Sequence, residues 1–299
     1  MSFSGEVKRE LCKTLPSRKC CCQALCYGVF LYANRFDHRE ARIVTESEEF
    51  AAFLPGLLKK AFRLTFDRVP EQGEGKHIFA ITDPEKLTRL WEAFGYDMGG
   101  AVAHHINFAV LEEDHCRAAF LRGAFLAGGS VTDPRKGYHL ELTTTHHSVN
   151  RELVSLLGEL GFHPKTTERS GSYMVYLKQS DAITDLLTAM GAPLSAMEMM
   201  NAMAEKDLRG VVNRRVNCDA ANLDKAVEAA QIQIEAIRRL EVRMDLGELP
   251  PKLAEAARLR LENPDLTLGE LAALCSPPIT KSSLSARLKK LTALAGQEQ

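Results

Sequence analysis

The chain lacks any apolar run approaching the ~20 residues that a membrane span requires, so no span and no membrane partner is expected. It also lacks an excess of one charge. Lys and Arg number 38 against 39 Asp and Glu, a formal net charge of −1, which excludes a global attraction to nucleic acid or lipid. Its first residues, Met1 to Glu10, contain no apolar stretch of the kind a secretion signal carries, and the expected compartment is the cytoplasm. No two of its eight cysteines form a Cys-x-x-Cys pair. With no secretion signal, a disulfide framework is not expected. The cluster Cys20, Cys21, Cys22 and Cys26 invites a metal, but adjacent cysteines on a helix point to different sides. The pairs His104-His105 and His146-His147 fit no ligand spacing either. Free thiols, no metal and no cofactor are therefore expected. What remains is 45% hydrophobic and 26% charged, an ordinary globular composition with room for two or three domains.

An internal repeat organises the first two thirds. Residues 20–36 read as an apolar helix and 38–45 as a strand. Residues 48–62 read as a helix with Phe50, Phe53, Leu54, Leu57, Leu58 and Phe62 at helical spacing. Residues 64–69 and 76–82 suggest a hairpin around Gly73 and Gly75, and Asp83-Pro84 opens a helix. The same order recurs: a helix over 117–127, a strand over 138–144 and a helix over 148–160. A hairpin of 162–168 with 172–178 then turns at Ser170-Gly171, and a closing helix covers 180–190. Each half reads as αβαββα. After Pro193 strand signals cease. A helix over 222–246 carries an apolar stripe from Leu223 to Leu240, and Leu249-Pro250-Pro251 introduces three short helices, 252–262, 268–274 and 281–294. Thr267 and Glu270 have the spacing of a capping box. The expected segments are 1–110, 111–195, 196–248 and 249–299.

Gly28 and Gly123 fall inside the first helix of each repeat. A mid-helix glycine costs about 1 kcal/mol relative to alanine, which close approach of two helix axes would offset. The stretch Leu121-Arg-Gly-Ala-Phe-Leu-Ala-Gly-Gly129 resembles the LAGLIDADG motif, glycine on glycine at Gly123 and Gly129. Cys26–Asn34 resembles it more distantly, through Gly28. Two copies in one chain are similar to the pseudo-dimeric homing endonucleases. That resemblance implies divalent cations held by acids at the foot of the two helices, at positions occupied here by Ala33 and Gly128. Neither supplies the oxygen ligands a hard cation needs, and Asp37 and Asp133 lie beyond the helices. Residues 1–190 hold 23 Lys+Arg against 24 Asp+Glu, few cations for gripping a long duplex, although a local strip such as Arg39 and Arg42 could remain.

The tail has helix-turn-helix proportions. Leu284, Leu288 and Leu291 bury one face of its last helix. The remainder offers Lys281, Ser282, Ser283, Ser285, Ala286, Arg287, Lys289 and Lys290 to a major groove and its phosphates. Between Ser276 and Leu291 there is no acid. Upstream, Arg209, Arg214 and Arg215 suit phosphate contact or domain docking.

Degenerate LAGLIDADG repeats, a linking helix and a terminal helix-turn-helix together resemble the WhiA family. The resemblance rests on Phe120–Pro134, Asn213–Asn222 and Thr280–Leu291. The expected fold class is α+β, a pseudo-symmetric LAGLIDADG-like unit of αβαββα repeats followed by an all-α helix-turn-helix domain. The resemblance implies a nucleoid-associated transcriptional regulator of cell division, chromosome segregation or sporulation that binds double-stranded DNA without cutting it. It also leaves room for protein partners in transcription or division. The rival readings are a protein-interaction scaffold in division, whose DNA contact is incidental, and an active homing endonuclease.

Overall fold

The computed structural model describes residues 2–70, 75–96 and 104–296. Contacts divide the chain into two units, Met1–Asp207 and Leu208–Gln299.

The first unit opens with α1 (Phe3–Leu11), a helix no sequence repeat announces. The first repeat follows as α2 (Lys19–Leu31), β1 (Arg35–Phe36), β2 (Ala41–Thr45), α3 (Glu48–Phe62), β3 (His77–Ile81) and α4 (Pro84–Ala93). The second is α5 (Asp114–Gly128), β4 (Gly129–Val131), β5 (Leu140–Thr144), α6 (His147–Glu159), β6 (Lys165–Arg169), β7 (Ser172–Leu177) and α7 (Ser180–Met190). Each half thus gains a short strand between its first helix and its first long strand. Two or three residues are too few to show a period in sequence. The antiparallel sheets run β1-β2-β3 and β4-β5-β7-β6. The two halves differ at the predicted hairpins. In the second, Ser170 (φ 51°) and Gly171 (φ 75°) form the two-residue turn that joins twisted strands, with Arg169 paired to Ser172. In the first, residues 64–69 form no strand, and one bridge, Arg68 to Ala80, stands in its place. Gly73, in the expected turn, lies outside the described residues.

The axis of this unit is the pair α2 and α5, and the glycines decide how near they come. A Cβ on Gly28 would sit 2.1 Å from the Phe120 carbonyl oxygen, and one on Gly123 would sit 2.1 Å from that of Leu25. Backbone therefore touches backbone reciprocally, closer than side chains would permit. Around this seam Leu25, Tyr27, Phe120, Leu121 and Phe125 are fully buried, the centre of one continuous apolar core. Gly128 ends α5, and Gly129 is extended (φ −98°, ψ 153°) and starts β4.

The helix α8 (Pro193–Arg243) begins far upstream of the expected 222–246, and the division between units falls within it. Over Ala204–Ala229 nearly every side chain is exposed, so the helix there has no buried stripe to announce it. Its stripe packs only from Ala230 onward, through Ile237 and Leu240, while Leu223 and Val227 stay exposed. The first turn of α8 is held by Glu10 of α1, whose carboxylate accepts from the Leu194 and Ser195 N–H groups at 2.8 and 2.9 Å. In the second unit, α9 (Pro251–Glu262), α10 (Leu268–Ala273) and α11 (Lys281–Gly296) close a small core with the end of α8. Among the described residues no helix is long and apolar enough to cross a membrane.

Candidate nucleic-acid interface

The terminal helix pair is built by local capping. Thr267 and Glu270 form the expected box at the start of α10: the Glu270 N–H donates to the Thr267 hydroxyl, and the Glu270 carboxylate accepts from the Thr267 N–H at 2.8 Å. These bonds hold the exposed Glu270 carboxyl below its ordinary pKa. Pro277 and Pro278 end any continuation, and the Ile279 N–H folds back onto the Ala272 carbonyl at 3.0 Å. Thr280 then starts α11, its hydroxyl accepting from the Ser283 N–H at 3.3 Å.

Helix α11 buries Leu284, Leu288, Leu291 and Ala295. Lys281, Ser282, Ser283, Ala286, Lys289 and Lys290 are exposed, and Ser285 is half-buried. Arg287 differs from this set. It is turned inward, 16% exposed, and pairs at 3.2 Å with Glu255 of α9. Glu255 also accepts from the Ser276 N–H at 2.7 Å, so one carboxylate ties the turn and α11 to α9. In sequence Arg287 looks like a DNA-facing cation because no acid lies near it in the chain; its partner is 32 positions away. Arg260 carries no signal in the sequence. Its side chain is almost wholly buried and donates to the Gln233 side chain (3.1 Å) and to the Pro264 (3.4 Å) and Leu266 (2.9 Å) carbonyls. Burial lowers its pKa from the ordinary arginine value. Arg260→Ala would remove the donor to all three acceptors; with water reaching some of them and one or two left stranded at about 1–3 kcal/mol each, the second unit should lose roughly 2–4 kcal/mol in denaturant melts. A loss below about 1 kcal/mol would contradict this arrangement.

Arg209, Arg214 and Arg215 lie within α8, not in a linker before it, and all three side chains are exposed. The first unit, near neutral in charge, offers fewer free cations than its sequence suggests. Arg42 pairs with Glu40 at 2.5 Å, and Arg35 with Asp37 at 2.7 Å.

The foot of α2 and α5 is where the LAGLIDADG motif would place catalytic cations. Ala33 offers no ligand. A Cβ on Gly128 would meet the Thr143 carbonyl oxygen at 2.7 Å and the Tyr32 ring at 2.8 Å, so the position has no room for a side chain. The adjoining hollow is lined by Tyr32, Ala33, Asn34, Thr143, Thr144, Thr145 and Ser172, which bring neutral oxygens only. Asp37 is committed to a turn. It accepts from the N–H groups of Arg39 (2.8 Å) and Glu40 (2.9 Å) as well as from Arg35. Partial burial pushes its pKa up, but these donors outweigh that and leave it below the usual value. Asp133 likewise accepts from the Arg135 N–H at 2.9 Å. A hard divalent cation does not fit this set.

Two family profiles match the chain, the WhiA LAGLIDADG-like domain over residues 117–209 and the WhiA C-terminal helix-turn-helix domain over 212–295. Among curated relatives, the probable cell division protein WhiA of Clostridium botulinum (strain Hall) is 33% identical, covering 99% of this chain and 98% of its own. That of Alkaliphilus oremlandii is 36% identical, covering 100% and 98%. The crystal structure of full-length WhiA from Thermatoga maritima superposes with a TM-score of 0.62 at 24% identity, over 99% of this chain and 98% of that one. An isolated N-terminal LAGLIDADG domain of WhiA gives 0.50 at 20% identity, over 64% and 92%. The fold is the α+β LAGLIDADG-like unit followed by a helical helix-turn-helix unit.

Proposed function

The chain belongs to the WhiA family, and from that membership we propose that it is a DNA-binding transcriptional regulator that does not cut DNA. Its targets are genes of cell division and chromosome segregation, or of sporulation, and it acts in the cytoplasm on the nucleoid. The observation that carries the reading is the acid-free outer face of α11, where Lys281, Ser282, Ser283, Ala286, Lys289 and Lys290 are exposed together. The small residues near the helix start suit entry into a major groove, and the lysines suit its phosphates. Arg287 positions this helix through Glu255. Arg214 and Arg215 are secondary candidates for phosphate contact, with Arg209 beside them. The absence of cutting in this reading is supported by the foot of the helix pair, where neither Ala33 nor Gly128 offers a side-chain ligand.

Binding of the full chain to duplexes recovered from its genomic sites tests this. Lys289→Ala with Lys290→Ala should weaken binding to all sequences. It should also lower the slope of log affinity against log salt by roughly 0.9 for each phosphate that is no longer neutralised. An unchanged slope would remove α11 from the interface. A second reading, a division scaffold with protein partners, draws on Leu208, Val211, Val212, Val216 and Leu223, large apolar side chains exposed on α8. Under it the same double substitution leaves the cellular phenotype intact.

A further inference from the structure

At the opposite end of the α2–α5 pair from Ala33 and Gly128, the two helices begin with metal-binding side chains. Cys20 and Cys21 occupy the first turn of α2, and His115 and Cys116 the first turn of α5. The two pairs are separated by the same 95 residues that separate Gly28 from Gly123, so the pseudo-symmetry that packs the glycines also brings the four side chains together. All four donor atoms lie within 4.8 Å of one another. The His115 Nδ1 is 3.4 Å from the Cys21 sulfur and 3.2 Å from the Cys116 sulfur. In a tetrahedral site with Zn–S of about 2.3 Å and Zn–N of about 2.0–2.1 Å, neighbouring donors are roughly 3.3–3.8 Å apart. The two Nδ1–S distances lie at or just below that range, and the widest donor separation, at most 4.8 Å, must close by no more than about 1 Å to reach it.

We propose that Cys20, Cys21, His115 and Cys116 bind one Zn²⁺, which staples the N-terminal turns of α2 and α5. Three thiolates and one imidazole form a closed, structural ligand set with no position left for water or substrate. The absence of a carboxylate among them disfavours Mg²⁺ and Ca²⁺, and the soft sulfurs favour zinc. Three thiolates around a dication leave one net negative charge, which the N–H groups of two helix starts and the neighbouring Arg18 and Lys19 offset. Cys20 is exposed and gives the ion a way in, while Cys21 and Cys116 are buried. Cys20 and Cys21 do not point to different sides as their adjacency in the sequence suggests: at the first turn of α2 their sulfurs lie within 4.8 Å of each other, and the second helix supplies the other two donors.

Elemental analysis of the full chain, purified without a metal-binding tag and under reducing conditions, should return one zinc per chain that survives dialysis. Cys116→Ser should lower this below about 0.2 per chain, whereas Cys218→Ser, at an exposed cysteine on α8, should leave it at one. Because Cys116→Ser could fail to fold, the unmutated chain stripped of metal and titrated with Co²⁺ gives an independent reading. The expected spectrum has thiolate-to-cobalt charge-transfer bands and the intense d–d bands of a tetrahedral centre, saturating at one equivalent. A featureless cobalt spectrum would overturn the proposal. So would iron with inorganic sulfide in place of zinc, or a disulfide between Cys21 and Cys116 in the zinc-free chain that persists through purification under reducing conditions.

Discussion

Gly123→Ala is expected to cost the first unit about 5 kcal/mol or to abolish its folding, and Gly28→Ala to do the same. Alanine is the better helix former by about 1 kcal/mol, so propensity alone predicts stabilisation. Packing reverses the sign. The new methyl carbon would lie 2.1 Å from the Leu25 carbonyl oxygen in one case and from that of Phe120 in the other. Ordinary overpacking costs about 1–3 kcal/mol because a neighbouring side chain can change rotamer. Here the neighbour is helix backbone with no rotamer to change. Relief requires the axes of α2 and α5 to part, and Leu25, Tyr27, Phe120 and Phe125, all fully buried along that seam, would be pulled apart together. Gly158→Ala is the control. It lies in α6, a Cβ there would meet nothing within 4 Å, and it should stabilise by roughly 0.5–1 kcal/mol. Urea melts of the three variants decide the matter. If Gly123→Ala falls within about 1 kcal/mol of the parent, the backbone contact is not a feature of the folded protein.

The seam is legible in sequence because a glycine inside a strongly apolar helix demands a reason, and two copies give the same one. Elements whose signals are local are equally readable. Residues 48–62 and 180–190 match α3 and α7 to the residue, Ser170-Gly171 turns where its residues predict, and Asp83 caps α4 through the N–H groups of Glu85 and Lys86. What escapes depends on partners distant in the chain. Arg287, paired half-buried with Glu255, looks like a free cation until α9 is placed beside α11. His115 and Cys116 carry no meaning until α5 lies against Cys20 and Cys21. The upstream part of α8 escapes for the opposite reason. Over Ala204–Ala229 it buries almost nothing, and periodicity reports burial rather than helicity. The strands β1 and β4 are too short to carry a period at all.

Giving the foot its acids back should not give the protein a nuclease. Ala33→Asp with Gly128→Asp supplies the carboxylates at the positions the motif assigns, yet only one of the two has space. Ala33 is half-buried at the edge of a hollow of about 210 Å³, and Ala33→Asp alone should cost less than about 1 kcal/mol, as surface changes usually do. Gly128→Asp would force a Cβ to 2.7 Å from the Thr143 carbonyl oxygen and 2.8 Å from the Tyr32 ring. Neither can withdraw freely. Thr143 lies in β5, paired with Met174 of β7, and the Tyr32 side chain is buried with its hydroxyl lacking a partner among the described residues. The carboxylate would also face a carbonyl dipole with no cationic side chain lining the hollow. A loss of about 3–4 kcal/mol is expected from this half, and the two carboxylates would not converge on one cation. Incubation of the double variant with supercoiled DNA and Mg²⁺ or Mn²⁺ should produce no nicking above that of the parent chain. Chelator-sensitive nicking by the double variant would show instead that the foot retains the geometry of a cutting site and lacks only its acids.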